Sequence, residues 1–395
     1  MDRFMQIHFL TSYAATLLNR DDAGLAKRLP FGGTIRTRVS SQCLKRHWRT
    51  AEDAHALANL EGVEMSLRSR RTFEEKVAKP LLEEGLERKK VEAAVAAFQD
   101  QLLGSSARAK KEKTDKAEKG DAGTSLLTSQ VVILGWPEIR FIQEKVRAIA
   151  SQAASPEAAT KGVEGFFKAE SKNMKALMAT GRLPAGLDAA LFGRMVTSDI
   201  LTRLDAAIHV AHAFTVHGHE LETDYFSALD DLMQESGDLG SGHINDSELT
   251  SGLFYGYVVV DVPLLVSNLS GNAELAARVV ENLIHLIATV SPGAKKGATA
   301  PYACAEMVLV ESGNRQPRTL ANAFRKAVAL NHRGDVRDAA IAQLGAYLEK
   351  FDAMYGGDEV RQVAAMADTS ALKATVAPAL NDLCQWSASR IRGVA

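Results

Sequence analysis

The stretch Leu253–Val262 reads Leu-Phe-Tyr-Gly-Tyr-Val-Val-Val-Asp-Val. Rich in Tyr and Val, residue types that fit a pleated, buried surface, it predicts a central strand. Such a strand needs neighbours, and three other segments are extended in character. Residues 3–10 carry Phe4, Ile7, Phe9 and Leu10. From Thr34 to Val39, Ile35, Thr37 and Val39 alternate with Arg36 and Arg38, the period-2 pattern of a half-exposed strand. Met307 to Val310 supplies the fourth. Helical patterns lie between them. One starts at the N-cap candidates Ser40 and Ser41 and runs through about Leu57. Others cover 71–103, 136–151, 155–180, 199–217 and 273–290, and helices follow the last strand to the end. A strand–helix–strand–helix–strand skeleton with large insertions predicts an α+β fold with an RRM-like, ferredoxin-like core.

With 395 residues and 46% hydrophobic composition, the chain has enough apolar mass for one large elaborated domain or two. Its formal net charge of −1 excludes a polycation, so affinity for nucleic acid has to come from local patches. Cys43, Cys304 and Cys384 are few and far apart. They fit a reducing cytoplasm and suggest neither a disulfide framework nor a zinc site. No signal-peptide pattern and no run of about 20 apolar residues is present, so a soluble cytoplasmic protein with no membrane association is expected.

Charge is strongly segregated. Residues 19–49 contain Arg20, Lys27, Arg28, Arg36, Arg38, Lys45, Arg46 and Arg49 against only Asp21 and Asp22. On the helix after Ser40, Gln42, Lys45, Arg46 and Arg49 share one face, while Leu44 and Trp48 fall on another and anchor it. The first turn of that helix offers backbone N–H groups, the positive end of a dipole and the Ser40 and Ser41 hydroxyls. This is the chemistry of sequence-independent backbone tracking on nucleic acid. The competing reading is an ordinary solvated face. Conversely, no Lys or Arg occurs from Leu204 to Ala277, a span holding Glu220, Glu222, Asp224, Asp230 and Asp231 before the Gly-rich Gly237–Gly242 link. That composition predicts a protruding acidic hairpin. The segment 104–124 is polar and Lys-rich, with Lys110, Lys111, Lys113, Lys116 and Lys119, and reads as a mobile surface loop.

The run Leu18-Asn19-Arg20-Asp21-Asp22, then Phe31-Gly32-Gly33, Arg36, Arg38, Ser40-Ser41-Gln42 and Leu44-Lys45-Arg46 resembles the amino-terminal signature of the CasC family. That family is the repeating backbone subunit of type I-E CRISPR Cascade surveillance complexes. Collinear matches follow in Ala190–Met195, Ala211-His212-Ala213, Asp224-Tyr225-Phe226, Asp230-Asp231-Leu232, Pro292-Gly293-Ala294-Lys295 and Ala321–Phe324. The resemblance implies an RRM-like palm (1–60, 181–215 and 250–395), a helical fingers insertion (61–180) and a thumb β-hairpin (216–249). It implies RNA contacts at Arg20, Lys27, Arg38, Ser40, Gln42, Lys45, Arg46 and Arg49, with Met195 as a base-contacting wedge. Tyr225, Phe226 and Ser227 match the segment that displaces a nucleotide at intervals; the family has Trp where Tyr225 stands, and Tyr keeps an aromatic face. Taken without the resemblance, Met195, Tyr225 and Phe226 would be ordinary core residues.

The implied partners are CRISPR RNA, target DNA through guide pairing, further copies in a helical filament, the large, small and end-capping Cascade subunits, and a helper nuclease-helicase. No cofactor and no metal is implied, and the expected function is antiviral defence without enzymatic activity. Two other classes compete. A monomeric single-strand RNA binder would share the basic stripe but needs no acidic arm. A metal-dependent endoribonuclease subunit would use Asp21 or Asp22, but a carboxylate pair holds Mg²⁺ only where further ligands converge, and Arg20 beside it suggests salt-bridging. His209, His212, His217 and His219 lack a metal-binding pattern and are expected in buried or solvated helical positions.

Overall fold

The computed structural model describes residues 2–104, 125–170, 173, 176, 185–195, 198, 200–201, 203–229, 241–330 and 334–393, with backbone alone at 226–229 and 241–246. The Leu253–Val262 run forms the carboxyl-terminal half of the longest strand. In chain order the strands are β1 (Phe4–Thr16), β2 (Arg28–Phe31), β3 (Thr34–Val39), β4 (Ser66–Ser69), β5 (Val132–Gly135), β6 (Ile208–Val210) and β7 (Ala213–Thr215). They continue with β8 (Leu221–Leu229), β9 (Ser241–Asp261), β10 (Ala305–Gly313), β11 (Val360–Ala365) and β12 (Thr375–Val376). The chain divides into two units, Met1–Asn59 with Ile208–Pro263 and Ala273–Ala395, and Leu60–Ala207 with Leu264–Asn272.

In the first unit the sheet order is β12-β11-β10-β1-β9-β7-β3-β2, with β6 and β8 also paired to β9. Across its centre, β10–β1, β1–β9 and β9–β7 are all antiparallel. Counting β1, β6–β7, β9 and β10 as first to fourth, the spatial order is fourth, first, third, second, the ferredoxin-like arrangement expected from the strand–helix alternation. Ile7 lies opposite Val258 on one side and Val310 on the other, and pairing on both edges leaves β1 buried through most of its first half, Gln6 and His8 included.

Both sheet faces are covered. On one, Leu44 and Trp48 of helix α1 (Ser41–Arg49) and Ile287 of the Ala273–Thr289 helix converge on Phe9 and Phe254. On the other, Leu10, Tyr255, Leu309 and Val363 pack with Ile341, Leu344 and Leu348 of the Val336–Tyr355 helix. An RRM stacks bases on an open sheet face. Here that surface is core. The amino-terminal half of β9 continues beyond its pairing with β1 and pairs with β8, from Leu221↔Thr250 to Leu229↔Ser241. This two-stranded ribbon is the acidic arm; Asp230, Asp231 and the Gly-rich link as far as Gly240 lie outside the described residues, as do 105–124 of the Lys-rich segment.

The second unit is helical, with Arg88–Leu103, Trp136–Gln152 and Pro156–Glu170 packed through Phe98, Ile139, Ile142, Val146, Val163 and Phe167. It also holds the short β4–β5 ladder. It extends to Ala207, whereas the sequence grouped 181–215 with the sheet. Internal polar contacts explain the difference. Arg194 pairs with buried Glu138 at 2.6 Å, and Asp188 accepts from Ser66 N–H at 2.7 Å and from Arg68 at 3.0 Å.

Three element expectations change. Helix α1 stops at Arg49, not near Leu57: Thr50 caps it, and Asp53 then accepts from His55 N–H at 2.8 Å in a turn. Among the described residues of 199–217 there is no helix; β6 and β7 pair with β9 instead, tertiary pairing overriding local propensity. The histidines of that stretch therefore sit on strands and connections. The carboxyl-terminal region is not all helix, because β11 joins β10 with Arg361 and Val363 buried.

Candidate nucleic-acid interface

The loop after β1 is closed by hydrogen bonds of its own backbone and side chains. Lys27 N–H donates to the Asn19 carbonyl (2.9 Å), Asp21 N–H to Leu25 O (2.8 Å), and the Asp21 carboxylate accepts from Leu25 N–H (2.9 Å). The Asn19 amide oxygen accepts from Ser40 N–H at 2.9 Å, joining the loop to the start of α1. Asp21 is thus a loop-capping residue, not the salt-bridge partner of Arg20 that its sequence position suggested. No cluster of three or more metal-binding side chains occurs among the described residues.

Helix α1 begins as its sequence predicts, with the Ser40 hydroxyl accepting from Cys43 N–H at 3.3 Å. Its first turn is less open than expected, because Ser41 N–H already donates to His212 Nδ1 at 3.1 Å. Leu44 and Trp48 are buried; Gln42 and Arg46 are exposed, with Lys45 and Arg49 half-buried beside them. This is the stripe predicted from helical spacing.

The alternation in β3 holds at Thr37, Arg38 and Val39 but is inverted at its start. Arg36 is fully buried and Ile35 is 48% exposed. The Arg36 guanidinium donates to the carbonyls of Thr215 (3.0 Å), His217 (3.3 Å) and Phe324 (2.9 Å) and lies 5.9 Å from the Phe31 ring centroid. Arg28 is also engaged internally, by the buried Glu248 carboxylate. Of the eight cations in 19–49, these two are structural. Arg20, Lys27, Arg38, Lys45, Arg46 and Arg49 remain as the surface set.

Electrostatics tie several of these together. Burial first, then the neighbouring Arg38 and Lys27, hold the His212 imidazole below its ordinary pKa, so it stays neutral and accepts from α1. Burial raises the Cys43 thiol while Lys27 and Arg46 pull it the other way. Lys27 therefore stands within electrostatic reach of both His212 and Cys43. A neutral imidazole among cations, with Ser40 at the helix start, suits a phosphodiester backbone.

Motifs remote in sequence meet here. Ala294 N–H donates to Leu17 O at 2.8 Å, which sets exposed Lys295 and Lys296 beside the chain entering Asn19. These two cations were absent from the sequence-derived set; only the Pro292–Lys295 motif hinted at them. The Phe31-Gly32-Gly33 turn packs on the Ala321–Phe324 segment, where a Cβ on Gly32 would lie 1.6 Å from Arg325 O. Met195 is 87% exposed in the second unit, and Tyr225 is 66% exposed on the arm. Neither is a core residue, despite being large and apolar. The side chains of Phe226 and Ser227 lie outside the described residues.

Residues 5–386 match the family model described as CT1975-like protein. The chain belongs to the CT1975-like family. This is the CasC resemblance carried by its motifs, extended over nearly the whole length. A solved chain from a "CRISPR RNA-guided surveillance complex, pre-nicking" superposes with a TM-score of 0.77 at 29% identity, covering 99% of this chain and 100% of that one. A second, from a "CRISPR RNA-guided surveillance complex", has 22% identity, a TM-score of 0.58 and coverage of 98% and 99%, and shows the shared fold. No curated protein sequence matches the chain. Among the described residues of this CT1975-like protein, no helix is long and apolar enough to cross a membrane.

Proposed function

We propose that this chain is the CRISPR RNA-binding backbone subunit of a type I-E Cascade complex, acting in the cytoplasm in antiviral defence. Copies polymerise along the guide and leave most of its bases free to pair with target DNA, so sequence specificity resides in the RNA. The observation that carries this reading is the rim at β2, β3 and α1. Lys27, Arg38 and Arg46 gather there around His212 and Cys43, while the covered sheet faces offer no platform for base stacking. Exposed Tyr225 on the arm and exposed Met195 supply flat or flexible apolar groups suited to wedging bases apart. The arm's Glu220, Glu222 and Asp224 are complementary to the 19–49 region of a next copy, a heterologous contact of the kind that builds open filaments. The large, small and end-capping subunits and a recruited nuclease-helicase complete the assembly.

The role is to hold RNA, not to cut it. Asp21 is committed to Leu25 N–H, which disfavours the endoribonuclease alternative. Two measurements test this reading. Purification from cells carrying a CRISPR array should recover guide RNA in particles larger than the free chain, and the Lys45→Ala/Arg49→Ala pair should release it. An empty, monomeric protein, or cargo unchanged in the double variant, would sink the proposal. Incubation with complementary RNA and Mg²⁺ should leave that RNA intact. Cleavage abolished by Asp21→Asn or Asp22→Asn would restore the nuclease reading.

A further inference from the structure

Glu248 sits where four separate pieces of chain meet. It lies on β9 opposite Thr223 of β8, at the root of the arm, and is buried. Its carboxylate accepts from Ala26 N–H at 2.6 Å and from the Arg28 guanidinium. His219 Nε2 lies 3.7 Å away, and His219 Nδ1 is 2.6 Å from Thr37 Oγ1 of β3. Ala26 closes the loop that carries Arg20, through an antiparallel bridge between the two residues, and it precedes Lys27.

An acid beside a polyanion-binding surface is normally a liability, because it repels phosphate. Here burial and two donors remove that liability and leave a rigid link. A charge-assisted contact to a backbone N–H fixes the loop more firmly than a neutral one would. The ends of the link are the RNA-contacting loop and the base of the arm, the two parts that must act on one strand at a fixed spacing.

We propose that Glu248 is a positioning residue that locks the Arg20–Lys27 loop to the arm, so that phosphate grip and base displacement keep one register along bound single-stranded RNA. This rests on the RNA-binding reading above. Glu248 itself touches no RNA.

The test uses RNA-loaded particles from array-bearing cells and reads two quantities: RNA affinity, and the repeating 2′-hydroxyl acylation pattern along the bound guide. Glu248→Ala should weaken RNA binding about tenfold, since small misplacements of binding groups carry losses of that order or more, and should flatten the repeating pattern. Glu248→Gln should fall between wild type and Glu248→Ala in both, because its single amide oxygen can still accept from Ala26 N–H while its NH2 replaces the carboxylate oxygen that held the Arg28 guanidinium. Val363→Ala, in the core at β11, serves as the stability control: it should lower the melting temperature and leave the pattern sharp. If Glu248→Ala does not fold, Arg28→Ala removes one donor at a partly exposed position and should blur the pattern in the same way. A sharp pattern and unchanged affinity in Glu248→Ala, or in Arg28→Ala where it replaces that variant, overturns the proposal, as does equal blurring in Val363→Ala. Wild-type particles lacking RNA or any repeat would instead overturn the RNA-binding reading itself.

Discussion

Two arginines two positions apart on β3 have opposite fates. Arg36 is sealed beneath the strand and satisfies three backbone carbonyls, while Arg38 stays at the surface, its Nη1 3.5 Å from His212 Nδ1. Sequence alternation placed both outward, because a guanidinium in a core is rare unless its donors are all used. The two roles predict separable phenotypes. Arg36→Met removes the buried donor shared by the Thr215, His217 and Phe324 carbonyls, of which His217 keeps the Thr215 hydroxyl, and should destabilise the fold by about 3 kcal/mol in denaturant titration. RNA bound by the folded fraction should keep its salt dependence. Arg46→Ala, at an exposed position, should leave the unfolding midpoint almost unchanged and reduce the slope of log affinity against log salt by about one.

At the level of elements, α1 meets two demands with one amphipathic pattern. Its Leu44–Trp48 side holds it on the sheet, and its Gln42–Arg46 side faces outward. Cationic residues in its last turn also complement the helix dipole, so charge there helps the helix form even without a ligand. The β2–β3 turn, which entered the sequence reading only as part of the family signature, is a packing device. Gly32 has φ +61 and presses its Cα against the Arg325 carbonyl. Gly32→Ala should therefore cost on the order of 3 kcal/mol through backbone displacement. Gly33→Ala should cost less, since nothing lies within 4 Å of its missing Cβ and only its φ of +78 opposes the change. Thermal melts of the two variants give the comparison directly.

For the molecule as a whole, acid is the solvent condition that should unfold it most readily. A buried network crosses the sheet: Glu311 accepts from His8 (3.0 Å), Arg318 (2.7 and 2.8 Å) and Arg361 (2.6 Å), and Arg361 also pairs with Asp352. Burial favours the neutral Glu311 carboxyl, yet the donors from His8 and Arg318 outweigh it and hold the group well below the usual carboxylate range. Burial likewise lowers His8, His217, His219 and His285 below the ordinary imidazole value. All these folded-state pKa values lie below their unfolded counterparts, so the unfolded chain binds more protons and stability rises with pH. Stability should fall as pH drops below about 6.5, where unfolded histidines begin to charge, and further below about 4.3, where unfolded carboxyls protonate. A melting temperature flat from pH 7.5 to 5 would contradict this account. His8→Gln should flatten the upper part of the profile.

Local sequence settled what local forces control. The period of α1 placed its cations and anchors on opposite sides, Ser40 marked its start, and the Tyr- and Val-rich run of β9 declared a sheet centre. The absence of Lys and Arg marked out the acidic arm. Collinear motifs were enough to point to the family. Tertiary structure alone decided which charges were available, because burial of Arg36 and capture of Arg28 depend on Phe324 and Glu248, groups hundreds of residues away along the chain. It also brought Lys295 and Lys296 to the Asn19 loop and drew 208–215 into the sheet. A one-dimensional pattern reports the preferences of neighbours within a turn or two. Pairing and desolvation are set by whatever the fold carries across the gap.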